Sequence, residues 1–192
     1  PKRKLAIKRP IRNVRKMFVC FGGYDANNFS NLFLKEIKDS NLRIEVNLVV
    51  SNVTNKNLKE LNSHIQQIGL NPNLNVNIYE RPKHFYKLLR DADLSVVAGG
   101  LMAFESVQYG VPSIGIAQYQ HQSNNLKRLK NLGVLEIGSF DRSSKNYVLK
   151  KIKALSDSYE LRADMSKKAI NVFDGKALER VGRAICTLAV KN

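Results

Sequence analysis

The residues best placed to do chemistry are Gly99, Gly100 and Glu105, in Ala92-Asp-Leu-Ser-Val-Val-Ala-Gly-Gly-Leu-Met-Ala-Phe-Glu-Ser-Val-Gln-Tyr-Gly-Val-Pro112. Leu94–Ala98 is a short apolar run, as expected of a parallel strand covered on both faces. A glycine pair lets the backbone turn tightly and approach a ligand closely. The helix that follows would offer unpaired N–H groups and a positive dipole end, chemistry that suits a phosphate. Glu105 falls about one turn into that helix, where a carboxylate can accept hydrogen bonds from ribose hydroxyls. A second glycine pair, Gly22-Gly23, follows the apolar run Met17–Phe21. It is neither a Walker A loop, since no Gly-Lys-Ser/Thr follows, nor the dinucleotide fingerprint, since the third glycine is absent. Asp25 just beyond it is suited to capping the next helix.

Other polar residues are less specific. Gln118-Tyr-Gln-His-Gln-Ser-Asn-Asn125 is dense in neutral donors and acceptors, which can read sugar hydroxyls or simply form a polar loop before a helix. His64, His84 and His121 lack metal-ligand spacing, and the two cysteines are far apart, so neither a metal nor a cofactor is implied. Cys20 and Cys186 both lie in apolar patterns and read as small core residues of a protein in a reducing compartment, by default the cytoplasm. No Gly-x-Ser-x-Gly elbow and no carboxylate pair is evident, so no catalytic residue is assigned.

These residues need strands and helices to position them, and the pattern supplies both in alternation. Strands are expected at Met17–Phe21, Val46–Val50, Leu74–Tyr79, Leu94–Ala98, after Pro112, and at Val134–Ile137. Helical stripes fall between them: Phe29, Leu32, Phe33 and Ile37; Leu58, Leu61, Ile65 and Ile68; Phe85, Leu88 and Leu89; Leu126, Leu129 and Leu132. From about Ser144 the pattern is all helical. Its stripes are Val148, Ile152 and Leu155; Leu161, Met165 and Val172; and, after Asp174-Gly175, Leu178, Val181, Ile185 and Leu188. The fold class is therefore α/β, a doubly wound parallel six-stranded sheet with a helical C-terminal end. Ligands of such sheets bind at the carboxyl ends of the strands near a switch in strand order. Both glycine pairs sit at carboxyl ends, and they can face one ligand if their strands are close in the sheet.

Composition bounds the remainder. The 192 residues are 43% hydrophobic and carry a net charge of +16. No run approaches the roughly 20 apolar residues of a membrane span. Charge is concentrated at the start, in Lys2, Arg3, Lys4, Lys8, Arg9, Arg12, Arg15 and Lys16, with no acid before Asp25. Residues 1–16 read as a basic arm or interdomain linker, and 17–192 as the folded domain. The arm could bind a polyanion weakly, although it lacks interleaved aromatics and a nucleic-acid motif. The abrupt basic start at Pro1, without methionine, fits a piece of a longer protein.

Taken together, these motifs resemble the C-terminal half of GT-B-type nucleotide-sugar enzymes. The resemblance is to the UDP-sugar hydrolase of pseudaminic acid biosynthesis and the related spore coat polysaccharide proteins. It runs from about Met17 to Ile185 and rests on Val19-Cys-Phe-Gly-Gly-Tyr-Asp, Ala92-Asp…Gly-Gly…Glu105, Tyr109-Gly-Val-Pro, Gln120-His-Gln-Ser-Asn-Asn, Leu132-Gly and Phe173-Asp-Gly-Lys-Ala-Leu-Glu-Arg-Val. The tail motif favours the hydrolase group over the peptidoglycan GlcNAc transferase. The resemblance implies UDP or a UDP-sugar as ligand. Backbone amides of Gly100, Leu101 and Met102 would meet the diphosphate, Glu105 the ribose, and Arg81 and Pro82 the base. Gly22, Gly23 and Gly99 would border the ligand, and Gln122 and Asn124 would lie near the sugar. Many relatives carry Ser or Thr where this chain has Leu101 and Met102, so one hydroxyl contact to phosphate is missing. The resemblance also implies an N-terminal GT-B domain, absent from this chain, that carries the catalytic residue. The competing readings are a non-catalytic polyanion-binding module that uses the arm, and a degenerate regulatory relative.

Overall fold

A computed structural model describes residues 10–51, 55–140 and 146–189. The elements run β1 (Lys16–Cys20), α1 (Phe29–Ile37), β2 (Ile44–Val50), α2 (Asn55–Ile68), β3 (Leu74–Glu80), α3 (Phe85–Asp91), β4 (Leu94–Ala98), α4 (Leu101–Gln108), β5 (Ser113–Ile116), α5 (Gln120–Asn131), β6 (Glu136–Gly138), α6 (Tyr147–Asp157), α7 (Tyr159–Val172) and α8 (Ala177–Ala189). All six strands are parallel, in the order β3-β2-β1-β4-β5-β6. The order reverses between β1 and β4, which makes that junction the switch point of a doubly wound sheet.

Strand periodicity divides the core into two layers. Met17, Val19 and Phe21 face α1, α2 and α6, where they meet Phe33, Ile37, Leu61, Val148 and Ile152. Phe18 and Cys20 face the other way, towards Leu89 of α3, Ala103 and Val107 of α4, and Leu126 and Leu129 of α5. The sheet is thus covered on both sides, and this is why its central strands read as continuous apolar runs.

On the second layer α5 packs unusually close to the sheet. A Cβ on Gly115 in β5 would lie 2.3 Å from Leu126 Cδ2, and one on Gly99 at the end of β4 would lie 2.9 Å from Leu126 Cγ. The Leu126 side chain fills the space of two missing methyl groups.

The C-terminal helices depart from the expected stripes. α6 buries Val148, Ile152 and Leu155 as expected. α7 is rotated from the stripe of Leu161, Met165 and Val172: its buried face is Arg162, Met165, Ser166 and Ala169, while Leu161 and Val172 are exposed. Tertiary hydrogen bonding explains the rotation. The Arg162 side chain is 0% exposed and donates to the carbonyls of Leu155, Ser156 (2.8 Å) and Ser158 (3.1 Å) at the end of α6, and to those of Ile11 and Arg12 (both 2.8 Å). The last carbonyls of a helix carry partial negative charge and are natural acceptors for a guanidinium. α8 buries none of its residues, and Leu178, Val181, Ile185 and Leu188 form an apolar stripe that none of the described residues covers. Cys186 is exposed with them and is not the core residue expected.

Residues 1–9, most of the basic arm, lie outside the described residues. The stretch from Ile11 to Lys16 is fastened to the domain. Asp93 Oδ2 accepts from the N–H groups of Arg15 and Lys16 (both 2.9 Å), next to the Arg162 bonds to Ile11 and Arg12. No described helix is long and apolar enough to cross a membrane.

Candidate functional site

Because β1 pairs directly with β4, the two glycine turns become neighbours across the switch point. Between them opens a cleft of ≈ 540 Å³ at the carboxyl edge of the sheet. Its floor is the strand ends Cys20, Val49, Val50 and Ala98; its walls include Gly22, Gly23, Arg81, Gly100, Glu105 and Tyr86.

The β1 turn depends on Gly22, whose φ of +88 is a backbone conformation that side chains with a Cβ rarely adopt. The turn is held from two sides. Ser51, after β2, donates its hydroxyl to Gly22 O (3.2 Å), and Gln118, after β5, donates its side-chain amide to Phe21 O. Asn27 Nδ2 in turn donates to Gln118 O (2.9 Å). Asp25 caps α1, accepting from the N–H groups of Phe29 and Ser30 (both 2.8 Å), which is the structural role its position suggested.

The β4 turn delivers the chain into α4 with Gly100 as its N-cap residue. The N–H groups of Leu101 and Met102 in the first turn have no carbonyl one turn back to bond, and the positive end of the helix dipole lies with them. Both residues line the cleft. Gly99 does not: it is buried beneath, bonded to Ile116 O (2.9 Å) and pressed against Leu126. Its role is close packing of strand on helix.

Glu105 is half-buried in the wall, and its Oε1 accepts the Tyr86 hydroxyl at 3.2 Å. The neighbouring carboxylate is the main cause that holds the Tyr86 phenol above its ordinary pKa, so the phenol keeps its proton and remains a donor. Cys20 has its thiol pushed up to about 11, first by burial, against a lowering bond from the Gly22 backbone. At neutral pH the cleft floor is therefore uncharged at that point.

Arg81 stands at the rim directly after β3, with φ +43. A left-handed backbone at a non-glycine residue costs roughly 1–2 kcal/mol, and here it turns the chain from the strand towards the cleft.

The polar stretch after β5 is not a loop throughout: α5 begins at Gln120. Helical spacing therefore separates its side chains. Gln122 points inward, is buried, and uses Oε1 to accept from Gln118 N–H (2.9 Å) while lining the cleft. Asn124 is exposed and, like Pro82, is not part of the cleft wall. Sequence reasoning did not single out Tyr86, and it took in Gln118 and Tyr24 only as members of longer motifs; all three line the cleft. Only the long-range partners of the first two, Glu105 and Phe21, mark them as special. His84 and His121 are exposed, the latter stacked on Tyr119 (6° between planes). Among the described residues, no three His, Cys, Asp or Glu side chains gather to hold a metal.

Residues 17–181 match the glycosyltransferase family 28 C-terminal domain. The chain belongs to this family. The matched span contains every residue of the cleft. Among curated proteins, the spore coat polysaccharide biosynthesis protein SpsG of Bacillus subtilis (strain 168) is 30% identical over 95 residues, 49% of this chain and 28% of that protein. Among solved structures, MurG of Acinetobacter baumannii superposes with a TM-score of 0.66 at 17% identity, over 84% of this chain and 45% of its own. HepE of Anabaena, in complex with UDP and glucose, superposes with a TM-score of 0.65 at 14% identity, over 90% of this chain and 48% of its own. The chain thus spans less than half the length of each of these relatives. Both superpositions agree with the doubly wound sheet seen here, a GT-B C-terminal domain of Rossmann type.

Proposed function

We propose that the cleft binds a nucleoside diphosphate of the UDP type, as UDP or UDP-sugar. In this reading the diphosphate lies between the Gly22-Gly23 turn and the amides of Gly100, Leu101 and Met102. Glu105 takes the ribose, the Arg81-Pro82 side takes the base, and Gln122 and Asn124 lie on the sugar side. The observation that carries the reading is the meeting of two glycine turns at the switch point, with a carboxylate one helical turn beyond the second. Membership of the glycosyltransferase family supports it, as does the UDP named with HepE.

In the whole protein this domain would hold the leaving group. Water or an acceptor hydroxyl attacks the anomeric carbon, the glycosidic C–O bond to the diphosphate breaks, and UDP departs with its charge facing the α4 amides. The catalytic residue belongs to an N-terminal GT-B domain outside this chain. Two observations support that division: the relatives are more than twice as long as the part matched, and α8 presents an apolar stripe that a second domain would cover. The finer assignment is surface-polysaccharide or nonulosonic acid biosynthesis, with the Phe173-Asp-Gly-Lys tail favouring a UDP-sugar hydrolase. The free thiols Cys20 and Cys186 fit a cytoplasmic setting.

Titration calorimetry with UDP at up to millimolar concentration tests the site. Binding is expected, weakened about tenfold or more by Glu105→Ala, since a hydrogen bond to a charged group contributes about 1.5–3 kcal/mol. Absence of binding, or identical binding by the variant, would defeat the proposal.

A further inference from the structure

We propose that Tyr86 is a positioning residue for Glu105 and so tunes how strongly the cleft holds a ribonucleotide. The inference rests on the nucleotide reading above and adds to it the group that aims the ribose acceptor. Tyr86 lies on α3 and Glu105 on α4, 19 residues apart, and the phenol donates to Oε1 at 3.2 Å. Its direction is set by aromatic packing. Phe85 sets its ring edge-on against buried Phe18 of β1 (5.4 Å between centroids) and so anchors the start of α3 on the sheet. The Tyr86 ring is perpendicular to Phe85 (5.3 Å) and tilted against Tyr109 just after α4 (6.3 Å).

One tyrosine bond occupies one lone-pair direction of the carboxylate. Oε2 and the rest of Oε1 stay available to ribose hydroxyls. A free glutamate samples several rotamers, and fixing it before the ligand arrives removes part of the ordering loss on binding. The Tyr86 side chain is itself a cleft wall and half-exposed, so a ligand at Glu105 would meet the phenol as well. The phenol pKa, raised chiefly by the Glu105 charge, supports the arrangement, because at neutral pH the phenol keeps its proton and stays a donor.

The test uses Tyr86→Phe, which keeps the ring contacts with Phe85 and Tyr109 and removes only the hydroxyl. UDP and inorganic pyrophosphate are titrated calorimetrically into wild type, Tyr86→Phe, Glu105→Ala and the double variant, with thermal midpoints checking that each folds. The expected result is a threefold to tenfold loss of UDP affinity in Tyr86→Phe, about that of one neutral hydrogen bond, with pyrophosphate affinity unchanged. In the Glu105→Ala background the same change should have no further effect. A purely structural tie between α3 and α4 would shift UDP and pyrophosphate together, and a direct contact of the phenol with the ligand would persist without Glu105; either result overturns the proposal. Unaltered UDP affinity in Tyr86→Phe, with Glu105→Ala impaired, overturns the Tyr86 role alone. Wild type that fails to bind UDP overturns both this inference and the nucleotide reading.

Discussion

Arg162→Met should destabilise the domain strongly although it touches no part of the cleft. Methionine matches the length of the aliphatic stem but donates nothing, so five carbonyls lose the guanidinium, and among the described residues only that of Ser158 keeps a second donor, the Arg162 backbone N–H (3.4 Å). Those of Ser156 and Ser158, near the α6–α7 junction, can turn to water. The Leu155 bond is buried, and a buried polar group left unpaired costs about 1–3 kcal/mol. Relief from burying a cation offsets part of this, and burial does lower the Arg162 pKa from its ordinary value. With the part-buried carbonyls of Ile11 and Arg12 added to the buried one of Leu155, the net expectation is a loss of about 2–4 kcal/mol. At about 2–4 °C per kcal/mol for a domain of this size, the midpoint falls roughly 4–16 °C. Arg162→Lys should lie between, since an ammonium has three donors for five acceptors. Urea unfolding followed by circular dichroism gives the free energies, and amide exchange at Arg15 and Lys16 reports whether the incoming segment loosens. If Arg162→Met unfolds within about 1 kcal/mol of wild type, the surplus over an ordinary substitution is missing and the reasoning fails.

Gly115→Ala places a methyl group 2.3 Å from Leu126 Cδ2 and 3.1 Å from Leu135. Denaturation should show a loss of about 1–3 kcal/mol, partly recovered by adding Leu126→Val. Thiol labelling should separate the two cysteines: exposed Cys186 reacts readily at pH 8, while buried Cys20 reacts slowly. With its pKa near 11, only about one Cys20 in 10³ is thiolate at pH 8. The raised value means that the folded state retains this proton. Its stabilising contribution is complete below the ordinary thiol pKa and is lost as pH rises towards 11, so Cys20 labelling should climb steeply over that interval; equal rates at pH 8 would contradict this. Ile185→Glu on the exposed α8 stripe should leave the unfolding free energy of this chain within about 0.5 kcal/mol of wild type, which urea titration checks.

The sheet was readable because burial on both faces writes uninterrupted apolar runs into its strands, and because Gly22 and Gly100 punctuate two of them. Those runs do not encode adjacency. That β1 lies beside β4, and not only beside β2, is a matter of long-range pairing, and the cleft exists because of it. Periodicity also names an apolar face without naming what covers it. The same spacing marks buried Val148 and Ile152 on α6 and exposed Ile185 and Leu188 on α8. Arg162 was hidden for the converse reason. An arginine in an amphipathic helix normally marks the solvent side, and here the carbonyls at the end of α6, together with those of Ile11 and Arg12 some 150 residues away, turn it inward. The side chains of Gln118 and Tyr86 each act through one hydrogen bond to a distant partner, which leaves no periodic trace.

The seating of Leu126 on Gly99 and Gly115 bears on how this cleft could be re-engineered. α5 carries Gln122 into the wall at its first turn, and two contacts at different heights of the sheet set both its rotation and its axial position. Those three residues behave as a keyed joint. A first turn of α5 taken from another member of the family should transplant cleanly when Gly99, Gly115 and a leucine at 126 travel with it. If one glycine is exchanged for a larger residue, the helix must ride up, and Gln122 and the Gln118 tie to Phe21 are displaced together. New ligand preferences are therefore more accessible by varying the rim residues Tyr24, Arg81 and Tyr119, which are exposed and stand outside that joint.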